Sequence, residues 1–76
     1  MHSKIRKEAI IIIYERIKKL CDEKGISIMA LERDSQLANG TIGGWRESVP
    51  KVDSLYRVAR QLGVSIDELV DNALQK

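Results

Sequence analysis

Apolar residues recur at helical spacing in the first third of the chain. Ile13, Ile17 and Leu20 fall on one side of a helical wheel, and charged residues occupy the opposite side. A period near 3.6 residues predicts an amphipathic α-helix. Gly25, which follows a basic last turn, is a typical helix stop.

The beginning of this helix has two candidate positions. Ser3 could cap a long helix, or the helix could start near Ile12. Ile11 and Ile12 point away from the core face of the wheel, which predicts either a non-helical start or a partner chain that covers them. The chain therefore divides into an N-terminal extension that could continue the first helix, a folded domain and a C-terminal tail, at residues 1–11, 12–72 and 73–76.

Caps and breakers predict four more helices. Ser27 is a favourable N-cap, Pro50 marks a loop, and Ser65 with Glu68 has the spacing of a capping box. The expected helices span residues 28–35, 39–47, 52–62 and 66–73. Their apolar positions, expected in the core, are Leu31, Ile42, Trp45, Leu55, Val58, Ala59, Leu62, Leu69 and Val70. The predicted fold class is an all-α bundle of five helices.

The third predicted helix contains three glycines, at positions 40, 43 and 44. Each glycine costs up to about 1 kcal/mol relative to alanine inside a helix. Local helix propensity alone would not form this helix. We therefore expect that the glycines serve a purpose other than helix formation. One such purpose is to let the backbone approach a ligand closely.

Composition and charge narrow the function classes. The 76 residues carry a net charge of +2, and the basic surplus lies in residues 1–24, with seven basic and four acidic side chains. No apolar run is long enough for a membrane helix. Cys21 is the only cysteine, which fits a packed thiol in a cytoplasmic protein.

The inventory of reactive residues argues against an enzyme. His2 is the only histidine and lies at a terminus, where no other group positions it. The chain has no metal-spaced Cys/His cluster and no phosphate-binding loop. We therefore expect no catalytic residue, metal, cofactor or small-molecule substrate.

A longer pattern joins the predicted helices. It consists of Gly25-Ile26-Ser27, Leu31, Leu37, Thr41-Ile42, Trp45, Pro50, Leu55, Ala59, Leu62-Gly63-Val64-Ser65 and Leu69. This order and spacing resembles the helix-turn-helix domains of lambda-type repressors and Cro proteins, the Xre family, without gaps over residues 13–70. The resemblance implies a five-helix, lambda-repressor-like bundle whose second and third helices form the helix-turn-helix.

The resemblance also implies a function, which is sequence-specific binding of double-stranded DNA as a homodimer, with a regulatory and repressing effect on transcription. The third helix would lie in the major groove. The positions that match DNA-contacting sites of the family are Ser27, Ile28, Ala38, Asn39, Gly40, Thr41, Gly43, Gly44, Arg46 and Lys51. Among the base-reading positions, only Asn39 and Thr41 have side chains that can hydrogen-bond a base edge.

Several positions depart from the family pattern. Ile28 stands where many members have a glutamine that holds a phosphate, and Ala38 where the recognition helix usually has a Ser or Thr N-cap. Asn39 could cap that helix instead of reading a base, and Thr41 could bond back to a carbonyl of its own helix. Three glycines in this helix favour shape and backbone contact over direct readout.

A further departure concerns a charged pair. Cys21 and Arg46 stand where the family often has an arginine and a glutamate, and losing both partners leaves no buried charge uncompensated. Arg46 and Lys51 then have two interpretations, as phosphate contacts or as solvated charges. We expect Trp45 in the core, because its spacing from Ile42 is helical.

The sequence leaves alternatives for the function and for the dimer surface. The same scaffold could serve as a protein-interaction module or an antitoxin-like partner, which the near-neutral middle segment favours. A homodimer could also form through either of two surfaces. The first is Ile11 with Ile12, and the second, which the family habit favours, consists of Leu69, Val70 and Leu74.

Overall fold

A computed structural model describes the backbone of residues 7–70 and the side chains of residues 11–70. The elements in chain order are α1 (Lys7–Lys24), α2 (Ile28–Asp34), a 3₁₀ helix (Gly43–Arg46), α3 (Val52–Leu62) and α4 (Ile66–Val70). Within residues 7–70 there is no strand, which confirms the all-α fold class. None of the helices in this range is long and apolar enough to cross a bilayer.

The described boundaries of α2 and α3, and the start of α4, lie within one residue of those predicted from the sequence. α3 has the predicted bounds, and α2 ends one residue early because Ser35 forms its C-cap. α1 is already helical at Lys7, so the start near Ile12 is wrong. Its predicted cap Ser3, like the last three residues predicted for α4, lies outside the described residues.

The third predicted helix is the main correction. Residues 39–42 form turns, and only Gly43–Arg46 is helical, as a short 3₁₀ helix, so residues 7–70 contain four α-helices and the expected five are not found there. Gly40 has φ +91°, which no residue of an α-helix can adopt, and this angle prevents a helix from starting at Asn39. Gly43 and Gly44 further weaken α-helix propagation.

Helices α1, α2 and α3 end in the same Schellman geometry. A residue with positive φ follows each helix, and the next amide bonds to the carbonyl five residues earlier. Glycine occupies this position after α1 and α3, as predicted for Gly25 and Gly63. After α2 the residue with positive φ is Gln36, at φ +62°. The Leu37 amide then donates to the Glu32 carbonyl at 2.8 Å.

One hydrophobic core lies between α1 and the other elements. α1 packs against α2, the 3₁₀ helix and α4, and α3 packs against α2 and α4. The buried apolar residues are Ile13, Ile17, Cys21, Leu31, Ile42, Trp45, Leu55, Val58, Ala59, Leu62 and Leu69. Trp45 is therefore a core residue, as expected, and Leu20 and Val70 are only partly buried against this cluster.

Two of the buried residues bear directly on sequence expectations. Cys21 is 1% exposed, which confirms a packed thiol, and burial raises the pKa of that thiol, with a smaller contribution from Asp22. Leu69 is fully buried beneath the other helices, so it cannot contact a partner chain, and its assignment to a dimer surface is wrong.

Candidate nucleic-acid interface

The segment of residues 38–44, called here the interface segment, begins with a tight turn. The Thr41 amide donates to the Ala38 carbonyl at 3.1 Å. The positive φ of Gly40, third in this turn, is typical of a type II turn. The Gly44 amide then bonds to the Gly40 carbonyl at 3.0 Å, and the 3₁₀ helix follows. The segment thus has a defined path although it contains little helix.

The buried side chain of Glu32, in α2, bonds to the backbone of the interface segment. Glu32 is 3% exposed, and its two carboxylate oxygens accept from the backbone amides of Gly40 (Oε1, 3.0 Å) and Ile42 (Oε2, 2.8 Å). Both amides precede the 3₁₀ helix and would otherwise lack a partner in the segment. Ala38 has no side-chain oxygen, so Glu32 supplies the cap that a Ser or Thr would supply locally.

Sequence reasoning missed Glu32, although a signal was present. Ile28, Leu31, Glu32 and Ser35 follow the i, i+3, i+4, i+7 spacing of one helix face. A carboxylate at a core position of such a face must find donors, because an unpaired buried charge is costly. The nearest donors are the amides of the following turn, eight and ten residues further along the chain.

The base-reading candidates lie on the outside of the interface segment. Asn39 is exposed and Thr41 is partly exposed. Within residues 11–70 neither side chain makes a hydrogen bond, so Asn39 does not act as the cap and Thr41 does not bond back to its own segment. The polar groups of both side chains are therefore free of partners among residues 11–70.

Gly43 and Gly44 leave a bare patch beside these side chains. A Cβ atom built at either position would meet nothing within 4 Å, and neither residue has positive φ. The fold itself therefore does not require glycine at these two positions. Gly40 differs, because its φ of +91° would strain any other residue.

Arg46 is tied to the protein on one side. Its Nε donates to the Gly43 carbonyl at 3.2 Å, and its guanidinium lies over the ring of Tyr14 on α1, 5.6 Å from the centroid. Its terminal nitrogens make no hydrogen bond to the described residues. Lys51, at the N-cap of α3, is exposed and makes no ion pair within the same range.

The start of α2 differs from the family expectation. Ser27 caps this helix, with its Oγ accepting from the Ala30 amide at 3.0 Å. Ile28 is partly buried and packs against the core. Ser27 thus has a structural role while being exposed, Ile28 has a structural role against the core, and Met29 is 64% exposed.

The described part of the chain contains no group of three His, Cys, Asp or Glu side chains that could hold a metal ion. Comparisons with protein-family models, with curated proteins and with solved structures gave no match. Residues 7–70 define a small bundle of α-helices, in which the interface segment is the candidate binding surface.

Proposed function

We propose that this chain is a helix-turn-helix domain of the lambda-repressor type that binds double-stranded DNA as a homodimer and represses transcription. The observation that carries the proposal is the interface segment, whose backbone bonds to Glu32 while Asn39 is exposed and Thr41 partly exposed. A segment with a held backbone and accessible polar side chains is suited to contact with a base edge, since little reordering is needed on binding.

The chemistry of the outward side chains indicates what they would read. An asparagine can bond adenine through two hydrogen bonds in the major groove. A threonine can offer its hydroxyl or place its methyl group against that of thymine. With only these two side chains, Asn39 and Thr41, we expect a short and degenerate half-site, rich in A·T pairs.

The bare patch at Gly43 and Gly44 supports a close approach of the backbone to DNA. Because neither glycine is needed for the fold, the absence of side chains points to an external surface that leaves no room for them. Arg46 and Lys51 follow the interface segment in the chain, and both are exposed and positively charged. They would contact phosphates. Such contacts supply affinity for any duplex, whereas Asn39 and Thr41 would supply preference.

A homodimer would place two interface segments on paired half-sites about one helical turn apart. Of the second candidate surface, Leu69 is in the core, Val70 is partly buried and Leu74 lies outside the described residues, so α1 is the candidate surface whose exposure the structure describes better. Ile11 is 37% exposed, next to Ile12, which is partly buried. We propose α1 as the dimer contact, with Ile11 near its centre.

Duplex binding over a salt series tests the proposed function. Fluorescence anisotropy with a mixed-sequence duplex should give a logarithm of the binding constant that falls linearly with the logarithm of salt concentration, because each neutralised phosphate releases counterions. The matched control replaces Asn39 and Thr41 by alanine, which should keep the slope and lose the sequence preference. Absence of binding at every salt concentration would refute the proposal.

A protein-interaction module is the second candidate, and exposed apolar side chains favour it. Met29, Val49 and Val52 are 64%, 55% and 75% exposed, in α2 and around the start of α3. Single exposed apolar residues are common on protein surfaces. Three exposed apolar side chains, in α2 and around the start of α3, would suit a protein partner. The same salt series separates the two candidates, because only the DNA-binding domain shows a steep salt dependence.

A further inference from the structure

Glu32 has an unusual combination of burial, charge and partners. Glu32 is 3% exposed as a residue, and its carboxylate belongs to none of the ion pairs among the described residues. Its hydrogen bonds go to two backbone amides, at 3.0 and 2.8 Å, and both amides belong to the segment that would face DNA. A buried carboxylate of this kind fixes geometry, since each oxygen has one defined donor.

The two bonds enclose the base-reading candidates. Gly40 lies between Asn39 and Thr41, and Ile42 directly follows Thr41. Holding the amides of residues 40 and 42 therefore sets the directions in which side chains 39 and 41 leave the backbone. A bidentate contact to a base depends on such directions, whereas attraction to phosphates depends mainly on charge and distance.

We propose that Glu32 is a positioning residue that determines the sequence preference of the domain without touching DNA. This inference rests on the proposed function, because it assigns Glu32 a role at the same interface. If Glu32 only stabilised the fold, its loss would lower both the preference between duplexes and the affinity for an unrelated duplex. A positioning role predicts that only the preference is lost.

The test compares Glu32→Gln with Glu47→Gln. Glutamine keeps the size of Glu32 but presents an NH₂ group to one of the two amides, so that one bond is lost. Glu47 is exposed at the end of the 3₁₀ helix, so its variant removes the same charge near the segment without loosening it. Kd values are measured for a duplex selected from a random pool and for an unrelated duplex, with the folded fraction of each variant checked by circular dichroism.

For Glu32→Gln we expect the ratio of the two Kd values to fall by about fivefold or more, the equivalent of one good base contact. The Kd for the unrelated duplex should stay within about twofold, and the salt slope should not change. In the amide spectrum, the Gly40 and Ile42 protons should both move upfield, because one amide loses its acceptor and the other bonds to a neutral amide oxygen in place of a carboxylate. Glu47→Gln should keep the ratio and both resonances.

A folded Glu32→Gln that keeps the wild-type ratio overturns the proposal. If this variant is unfolded, Glu32→Asp is measured in the same way, since it keeps the charge and withdraws the carboxylate. If both are unfolded, Glu32 is required for folding alone and the proposal is also overturned. A wild type that binds neither duplex refutes the proposed function itself, which the wild-type measurement shows before any variant is compared.

Discussion

The guanidinium of Arg46 lies over the ring of Tyr14, with Cζ 5.6 Å from the ring centroid, and so joins the 3₁₀ helix to α1. The arrangement leaves the terminal nitrogens of Arg46 at the surface while the side chain is held in place. Arg60 lies over Tyr56 at 5.9 Å within α3 and provides the same kind of contact away from the interface segment.

Arg46→Ala should weaken binding to every duplex alike and flatten the salt slope by about one unit, because one phosphate contact is lost. The loss of the contact with Tyr14 should cost about 0.5–1 kcal/mol of stability, as for other exposed cation–π pairs. Anisotropy titrations and urea denaturation measure the two effects. Arg60→Ala is the control, which should lose similar stability and keep the slope. An unchanged slope in Arg46→Ala would make this residue purely structural.

Gln36→Gly should stabilise the protein by about 1 kcal/mol, because Gln36 has φ +62° and glycine adopts this conformation without a Cβ penalty. The Gln36 carbonyl, which accepts from Arg57 at 3.4 Å, is kept by the substitution. The midpoint of urea denaturation should rise. Gln61→Gly, in the exposed part of α3, should lower it by a similar amount. A lower midpoint for Gln36→Gly would contradict the strained geometry.

Gly43→Ala and Gly44→Ala should fold as stably as the wild type, since a Cβ at either position meets nothing within 4 Å. Both should nevertheless weaken duplex binding, because the added methyl groups occupy space that the DNA backbone or groove would fill. Thermal denaturation and anisotropy distinguish the two effects. Gly40→Ala, at φ +91°, should instead lose about 1–2 kcal/mol of stability. Alanine variants at 43 and 44 that bind normally would remove the argument for close approach.

Cys21 should react slowly with a disulfide reagent such as dithionitrobenzoate while the protein is folded, since burial shields the thiol and raises its pKa above the ordinary 9.0. A raised pKa contributes stability that is present below the unfolded value and is lost as the pH rises through the folded value. The free energy of unfolding should therefore fall above about pH 9 more steeply in the wild type than in Cys21→Ala. Equal pH profiles for the two proteins would contradict this linkage.

Ile11→Lys should convert the proposed dimer to a monomer, because it places a charge in the apolar contact on α1. Sedimentation equilibrium at several concentrations gives the association constant. Met29→Lys, at a more exposed position on α2, should leave the constant unchanged. A wild type that stays monomeric well above micromolar concentration would end the dimer proposal, and dissociation by Met29→Lys alone would relocate the surface.

The parts of the fold that local pattern determines could be predicted from the sequence. The bounds of α3 follow from Leu55, Val58, Ala59 and Leu62 on one face and from Gly63 as its stop, and all four apolar residues are buried. Here periodicity, helix propensity and the terminating glycine agree, so no distant contact was needed.

The interface segment could not be predicted in the same way. A helical spacing of Ile42 and Trp45 predicted a helix from Asn39, whereas the positive φ of Gly40 directs the chain into a turn. The cap of that turn comes from Glu32 in the preceding helix, which is a tertiary contact. Gln36 likewise occupies a position where sequence rules expect glycine, and only the structure identifies its φ of +62°.

The hydrogen bonds from Glu32 end on main-chain amides, which every residue except proline possesses. Substitution at positions 39, 41, 43 and 44 therefore leaves these supporting bonds available, whatever side chains are introduced. A library randomised at these four positions, with Glu32 and Gly40 held constant, should yield many folded members whose outward surfaces differ. In evolutionary terms, such a scaffold can diverge in what it recognises while its frame stays the same.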